Sequence, residues 1–125
     1  MKVLKWKKTA PPNFDRIPEK AGIYILSTSQ KENYEYEVKY VGQASDLKAR
    51  INEHFSRNEK NKELKAHIDE QYIMKVNYSE VDSQSDREGM ELYMYNLYEP
   101  PYNHKVPPGQ VVVKCTLPAA LKKRS

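Results

Sequence analysis

A single cysteine, Cys115, stands in 125 residues. The chain therefore closes no internal disulfide, and no Cys/His spacing has the form of a zinc site. Long apolar runs are missing too. None approaches the roughly 18 residues that a membrane span needs. The opening Met-Lys-Val-Leu-Lys-Trp-Lys-Lys has no apolar stretch of the kind a secretory signal carries. These absences predict a soluble cytoplasmic protein, nucleoid-associated in a bacterial cell, with no membrane partner. Internal repeats and low-complexity tracts are lacking as well, and the length leaves room for one modest core.

Acidic residues are missing from one end. Residues 104–125 hold Lys105, Lys114, Lys122, Lys123 and Arg124 with no acid, a net +5. Residues 1–20 hold six Lys/Arg against Asp15 and Glu19, a net +4. Since the whole chain is +4, residues 21–103 carry −5. Basic ends on an acidic body suit flanks that grip phosphates, although charge alone favours solvated tails. The chain divides accordingly into a basic N-terminal extension (1–20), a central domain (21–103) and a basic C-terminal extension (104–125). Apolar periodicity begins at Gly22, so the central domain is expected to keep its fold without the flanks.

What is present is periodic. Gly22 to Ser29 is short, apolar and β-branched and predicts a strand. A turn over Gln30–Asn33 follows. Tyr34, Tyr36, Val38 and Tyr40 then alternate with Glu35, Glu37, Lys39 and Val41, a second strand in a hairpin with the first, ended by Gly42. Asp46 caps the next element, where Leu47, Ile51 and Phe55 make one face of a helix. Arg50, His54 and Arg57 share a stripe on its other side. A short helix over Lys62–Glu70 precedes a third strand through Tyr72, Met74, Val76 and Tyr78. Ser85 to Glu99 is a helix with Met90, Tyr93, Met94 and Leu97 on its apolar face, stopped by Pro100. The fold class is α/β (α+β), with helices on an antiparallel-rich sheet.

Several polar residues fall where phosphodiester chemistry would use them. The hairpin brings the hydroxyls of Tyr24 and Tyr40 toward one place. Arg50 offers a planar positive fork for charge developing on a phosphorane. Glu91, one position off the apolar stripe, is a carboxylate suited to a hydrated divalent cation. Tyr or His could take a proton from attacking water. A phenol with its ordinary pKa near 10 needs a cation nearby to serve as that base. Lys39 is a candidate, although strict alternation points it to the opposite face from Tyr40.

Taken singly these residues have ordinary structural explanations; their joint order does not. Gly22-Ile23-Tyr24 followed by Tyr40-Val41-Gly42 resembles the tripeptide pair that names the GIY-YIG nucleases. Arg50, eight residues after Gly42, is similar to the family's helix arginine, and His54 resembles a histidine of a restriction-enzyme-like subset. Glu91, with Pro100 nine and Asn103 twelve residues later, resembles the closing signature. The resemblance implies a three-stranded sheet flanked by helices and a metal-dependent DNA endonuclease of repair, recombination, restriction or defence. It further implies one Mg²⁺ or Mn²⁺ held by Glu91, with Arg50 stabilising the transition state. Tyr24 then activates water, Tyr40 positions it or the phosphate, and His54 is a second candidate base or phosphate ligand. Gly42, Lys39 and Asn103 are expected on the substrate side, Asn103 tying the chain together near the site. No attached DNA-reading module is visible, so target preference would come from flanks, loops, a protein partner or a homodimer. The alternative is a non-catalytic or partner-dependent nucleic-acid-binding module of the same fold.

Overall fold

The computed structural model describes residues 1–29, 35–70 and 73–123. The turn expected over Gln30–Asn33 and the strand positions Tyr34 and Tyr72 lie outside the described residues. In chain order the elements are β1 (Lys7–Thr9), β2 (Gly22–Ser29), β3 (Tyr36–Ala44), α1 (Leu47–His54), α2 (Lys62–Asp69), β4 (Ile73–Glu80), α3 (Gln84–Tyr98) and β5 (Leu121–Lys122). The strands form one sheet in the order β1-β4-β2-β3-β5, in which β2 runs antiparallel to both neighbours and β5 is parallel to β3.

β2 is buried on both faces from Gly22 to Thr28, and its alternation divides the interior. Ile23 and Ile25 join Val38, Val41, Met90, Met94 and Tyr98 beneath α3. Tyr24 and Leu26 join Leu47, Ile51, Leu64, Val76 and Tyr78 beneath α1 and α2. Each fully buried aliphatic side chain contributes on the order of 2 kcal/mol. Side-chain caps start all three helices: Asp46, Asn61 and Ser83 accept from the N–H groups of Ala49, Leu64 and Asp86. α3 ends where Glu99 takes a left-handed conformation, φ 47°, ahead of Pro100, which cannot continue a helix.

Two details of the hairpin depart from the alternating pattern. β3 continues past Gly42 to Ala44, where it still pairs with Gly22. Its register with β2 also slips between Leu26, opposite Tyr40, and Ser27, opposite Val38, so Lys39 is an extra residue. This β-bulge breaks strict alternation. Val38 and Val41, three positions apart, both face α3, while Tyr40 between them faces α1 and α2. Lys39 shares Tyr40's side, where its charge bears on His67 of α2. The expectation that alternation turns Lys39 away from Tyr40 is thereby corrected.

The sheet is wider than the expected three strands because both flanks contribute edges. β1 pairs with β4 through Lys7, Lys8 and Thr9, and β5 pairs with Tyr36 and Glu37. Phe14 and Ile17 are core residues, as is Cys115. The flanks also meet each other: the Lys2 N–H donates to the Lys114 carbonyl and the Thr116 N–H to the Lys2 carbonyl, each at 2.9 Å. The expectation that the central domain keeps its fold without the flanks is not compatible with this packing. Edge strands of two or three residues carry no readable period, because their pairing is decided by partners far along the chain. Among the described residues no helix is long and apolar enough to cross a membrane.

Candidate active site

The site is assembled on the α1/α2 side of the β2–β3 hairpin. Cross-strand pairing sets Tyr24 opposite Gly42, and a Cβ built on that glycine would fall on the Tyr24 hydroxyl. Gly42 is itself buried, and its backbone φ is not in the left-handed region. Its lack of a side chain serves a close approach rather than a turn. The Tyr24 and Tyr40 rings stack with centroids 6.2 Å apart, and the edge of His54 meets Tyr40 at 4.8 Å.

His54 does not share the outer stripe expected for it. α1 ends there, and the ring turns inward with a fully buried side chain. Its Nε2 lies 2.6 Å from the Tyr24 hydroxyl and its Nδ1 2.5 Å from Glu59 Oε2. Arg57 falls beyond the end of α1, on the surface. Burial, reinforced by the Arg50 charge, lowers the His54 pKa to about 4, so the ring is neutral at physiological pH. A neutral imidazole carries one N–H, so the direction of the Tyr24 contact is set by the ring's tautomer.

Burial holds Tyr24 well above the ordinary tyrosine range, with the neighbouring Tyr40 adding to the effect and Arg50 opposing it. Tyr40 is raised as well, chiefly by burial, although it is hydrogen-bonded to the Arg50 guanidinium, which opposes the shift. Neither tyrosine is a phenolate at neutral pH. Arg50 also reaches Glu53 at 3.1 Å and Glu59 at 3.8 Å.

Glu91 arrives from the other layer. α3 packs under the opposite face, but Glu91 sits at its edge, where its carboxylate accepts a hydrogen bond from the Gln43 backbone N–H. Its charge acts on both Tyr24 and Tyr40. Burial, with Glu88 nearby, pushes the Glu91 carboxyl up to about 7. A carboxylate whose charge is disfavoured by its surroundings gains from a cation. Mg²⁺ takes one or two carboxylates and keeps several waters, so this donor set fits a hydrated divalent ion. Among the described residues no three His, Cys, Asp or Glu side chains group as a protein-only metal cage.

Asn103 seals the outer edge of β3. Its amide accepts from the Val41 N–H at 2.9 Å and donates to the Val41 carbonyl at 2.8 Å. The Tyr102 N–H donates to the Lys39 carbonyl at 3.1 Å. This loop thus takes the place of a strand beside Tyr40. Lys39 pairs with Glu37 at 3.0 Å.

Sequence reasoning missed three residues. Glu59 lies in a uniformly polar stretch, Arg57 to Asn61, where nothing marks it for burial. Arg87, 7% exposed, reads as a surface helix residue. It donates to the carbonyls of Val81 and Asp82 and to the Gln43 side chain. Gln43 is the third, holding Arg87 with its side chain and Glu91 with its backbone.

Residues 20–103 match the family described as GIY-YIG catalytic domain, and the chain belongs to that family. It is similar to UvrABC system protein C of Clostridium tetani, 32% identical over 87 residues, and to that of Clostridium acetobutylicum, 34% identical over 87 residues. Those 87 residues are 70% of this chain and 13% of each relative.

Proposed function

We propose that this chain is a nuclease that hydrolyses phosphodiester bonds in DNA, with one Mg²⁺ or Mn²⁺ held by Glu91. The observation that carries the reading is the convergence of Tyr24, Tyr40, Arg50 and His54 on one face of the hairpin with Glu91 entering beside Gly42. The relatives favour repair among the possible settings.

Tyr24 stays protonated at neutral pH, so it acts as a relay rather than as a standing phenolate. As the water oxygen bonds to phosphorus, one water proton passes to the Tyr24 oxygen and the Tyr24 proton passes to His54 Nε2. His54 is enclosed, and its Nε2 contacts the Tyr24 hydroxyl. The ester oxygen leaves as its bond to phosphorus breaks, and it collects a proton from solvent. Arg50, oriented by Tyr40 and Glu53, presents its fork to the charge gathering on the phosphoryl oxygens. A cation held by Glu91 would supply charge neutralisation to the phosphate. The basic flanks supply phosphate affinity without base readout.

The test is cleavage of supercoiled, linear, flap and four-way-junction DNAs in Mg²⁺ or Mn²⁺. The expected result is cleavage of at least one form that stops with a chelator and with Tyr24→Phe, which keeps the ring but removes the relay. Binding without cleavage of every form, in both metals, would identify a non-catalytic module instead.

A further inference from the structure

A buried carboxylate is expensive unless something in the fold uses it. Glu59 is such a group: its side chain is 2% exposed, and it lies outside the family's motif residues quoted above. Its two oxygens have different partners. Oε1 accepts the Asn61 N–H at 2.9 Å, at the entrance to α2. Oε2 faces His54 Nδ1 at 2.5 Å, and the Arg50 guanidinium stands 3.8 Å from the same oxygen.

We propose that Glu59 is a positioning residue that fixes the His54 tautomer, keeping the proton on Nδ1 so that Nε2 is open to the Tyr24 hydroxyl. This rests on the nuclease reading for its catalytic meaning, but the tautomer itself does not. A neutral imidazole carries one N–H, and the partner of one ring nitrogen decides what the other can do. A carboxylate oxygen at Nδ1 can only accept, so that nitrogen donates. Nε2 is then a lone pair 2.6 Å from a hydroxyl that donates to it.

The proton count closes. When the Tyr24 O–H bond breaks and the Nε2–H bond forms, His54 becomes an imidazolium that retains its Nδ1 proton. Glu59 Oε2 faces that new charge, which Arg50 opposes. The carboxylate thus favours the relay twice, first by orienting the acceptor and then by compensating the cation it becomes. A Glu59 that merely started α2 and balanced Arg50 would make neither contribution.

Glu59→Gln separates the two roles. The Asn61 N–H still needs an oxygen, so the new amide keeps its carbonyl there and turns its NH₂ toward His54. Nδ1 must then accept, the ring proton moves to Nε2, and Nε2 donates to the Tyr24 oxygen instead of accepting. The experiment is two-bond ¹⁵N–¹H correlation of the His54 ring in full-length protein without metal, alongside DNA cleavage in Mg²⁺. Wild type is expected to show the Nδ1–H tautomer and Glu59→Gln the Nε2–H tautomer. Cleavage should fall on the order of a thousandfold with DNA binding unchanged, and Glu59→Asp should restore the wild-type tautomer and part of the rate.

A wild-type Nε2–H tautomer would overturn the proposal without any variant, which covers a Glu59→Gln protein that does not fold. So would a Glu59→Gln protein that cleaves within about threefold of wild type while Tyr24→Phe is inactive, an effect below half a log unit. If wild type cleaves nothing, the nuclease reading fails by itself and the tautomer measurement still decides the role of Glu59.

Discussion

The two faces of β2 are built from alternate residues of one eight-residue strand, yet they do different work. Under α3 the interior is Ile23, Ile25, Val41, Met90 and Met94 with little polar chemistry. Under α1 and α2 the apolar residues surround a polar file of Tyr24, His54 and Glu59, closed at its rim by Tyr40 and Arg50. The difference follows from helix length. α3 runs 15 residues and spans its face, with Trp6, Cys115 and Leu117 of the flanks packed beside it. α1 and α2 are eight residues each, so the segment between them folds back and delivers Glu59 to the interior. A single long helix secures the sheet, and that frees the other face to hold buried polar groups, each of which must be matched by a partner. Glu91 is the exception that joins the layers, a residue of the apolar face whose carboxylate serves the polar one.

That division can be broken most sharply at Glu91. Glu91→Gln keeps the shape and removes the charge, so cleavage should fall to background while DNA binding persists or tightens in metal-free buffer. Ordinary cleavage by this variant in Mg²⁺ would return Glu91 to the packing layer and dismiss the single-ion site. Next in size is Met94→Ala. Met94 is fully buried in the apolar layer, and truncation there should cost about 2–5 kcal/mol in chemical denaturation. The rate per folded molecule should be untouched, and a loss of rate without loss of stability would contradict the division.

The smallest effect is on pH. A carboxyl raised to about 7 is protonated below that value, and metal binding requires the carboxylate. The sign is therefore fixed: the Mg²⁺ concentration for half-maximal cleavage should rise as pH falls through 7, by up to about tenfold per unit, and level off above. His54, lowered to about 4, should add no inflection between pH 5 and 8. A Mg²⁺ requirement that is constant across this range would mean that Glu91 is not the ligand.

Much of this arrangement was legible in the sequence, and the failures have physical causes. β2, β4, α2 and α3 follow from period and breakers, and the Asp46 cap from its side chain. The pair Tyr24 and Tyr40 was readable because a hairpin has few registers. The bulge at Lys39 was not, because an extra residue leaves composition unchanged and shows itself in pairing alone. His54 read as outward because its spacing to Arg50 and Arg57 groups it with them, but it also stands seven residues after Leu47 and three after Ile51, and that spacing sets it on the buried face of α1. Glu59 was invisible because its burial depends on a loop, and the flanks because β1 and β5 are shorter than any period.

The vacancy at Gly42 gives the two tripeptides a meaning beyond recognition. They stand apart in the sequence, yet one supplies an aromatic ring and the other the empty volume that receives its hydroxyl. Position 42 cannot gain a methyl group while position 24 is a tyrosine, and the penalty for gaining one depends on what stands at 24. Substitutions at the two positions are therefore non-additive. A survey that varies one residue at a time would assign to Gly42 a cost that belongs to the pair, and the two sites are free to change only together.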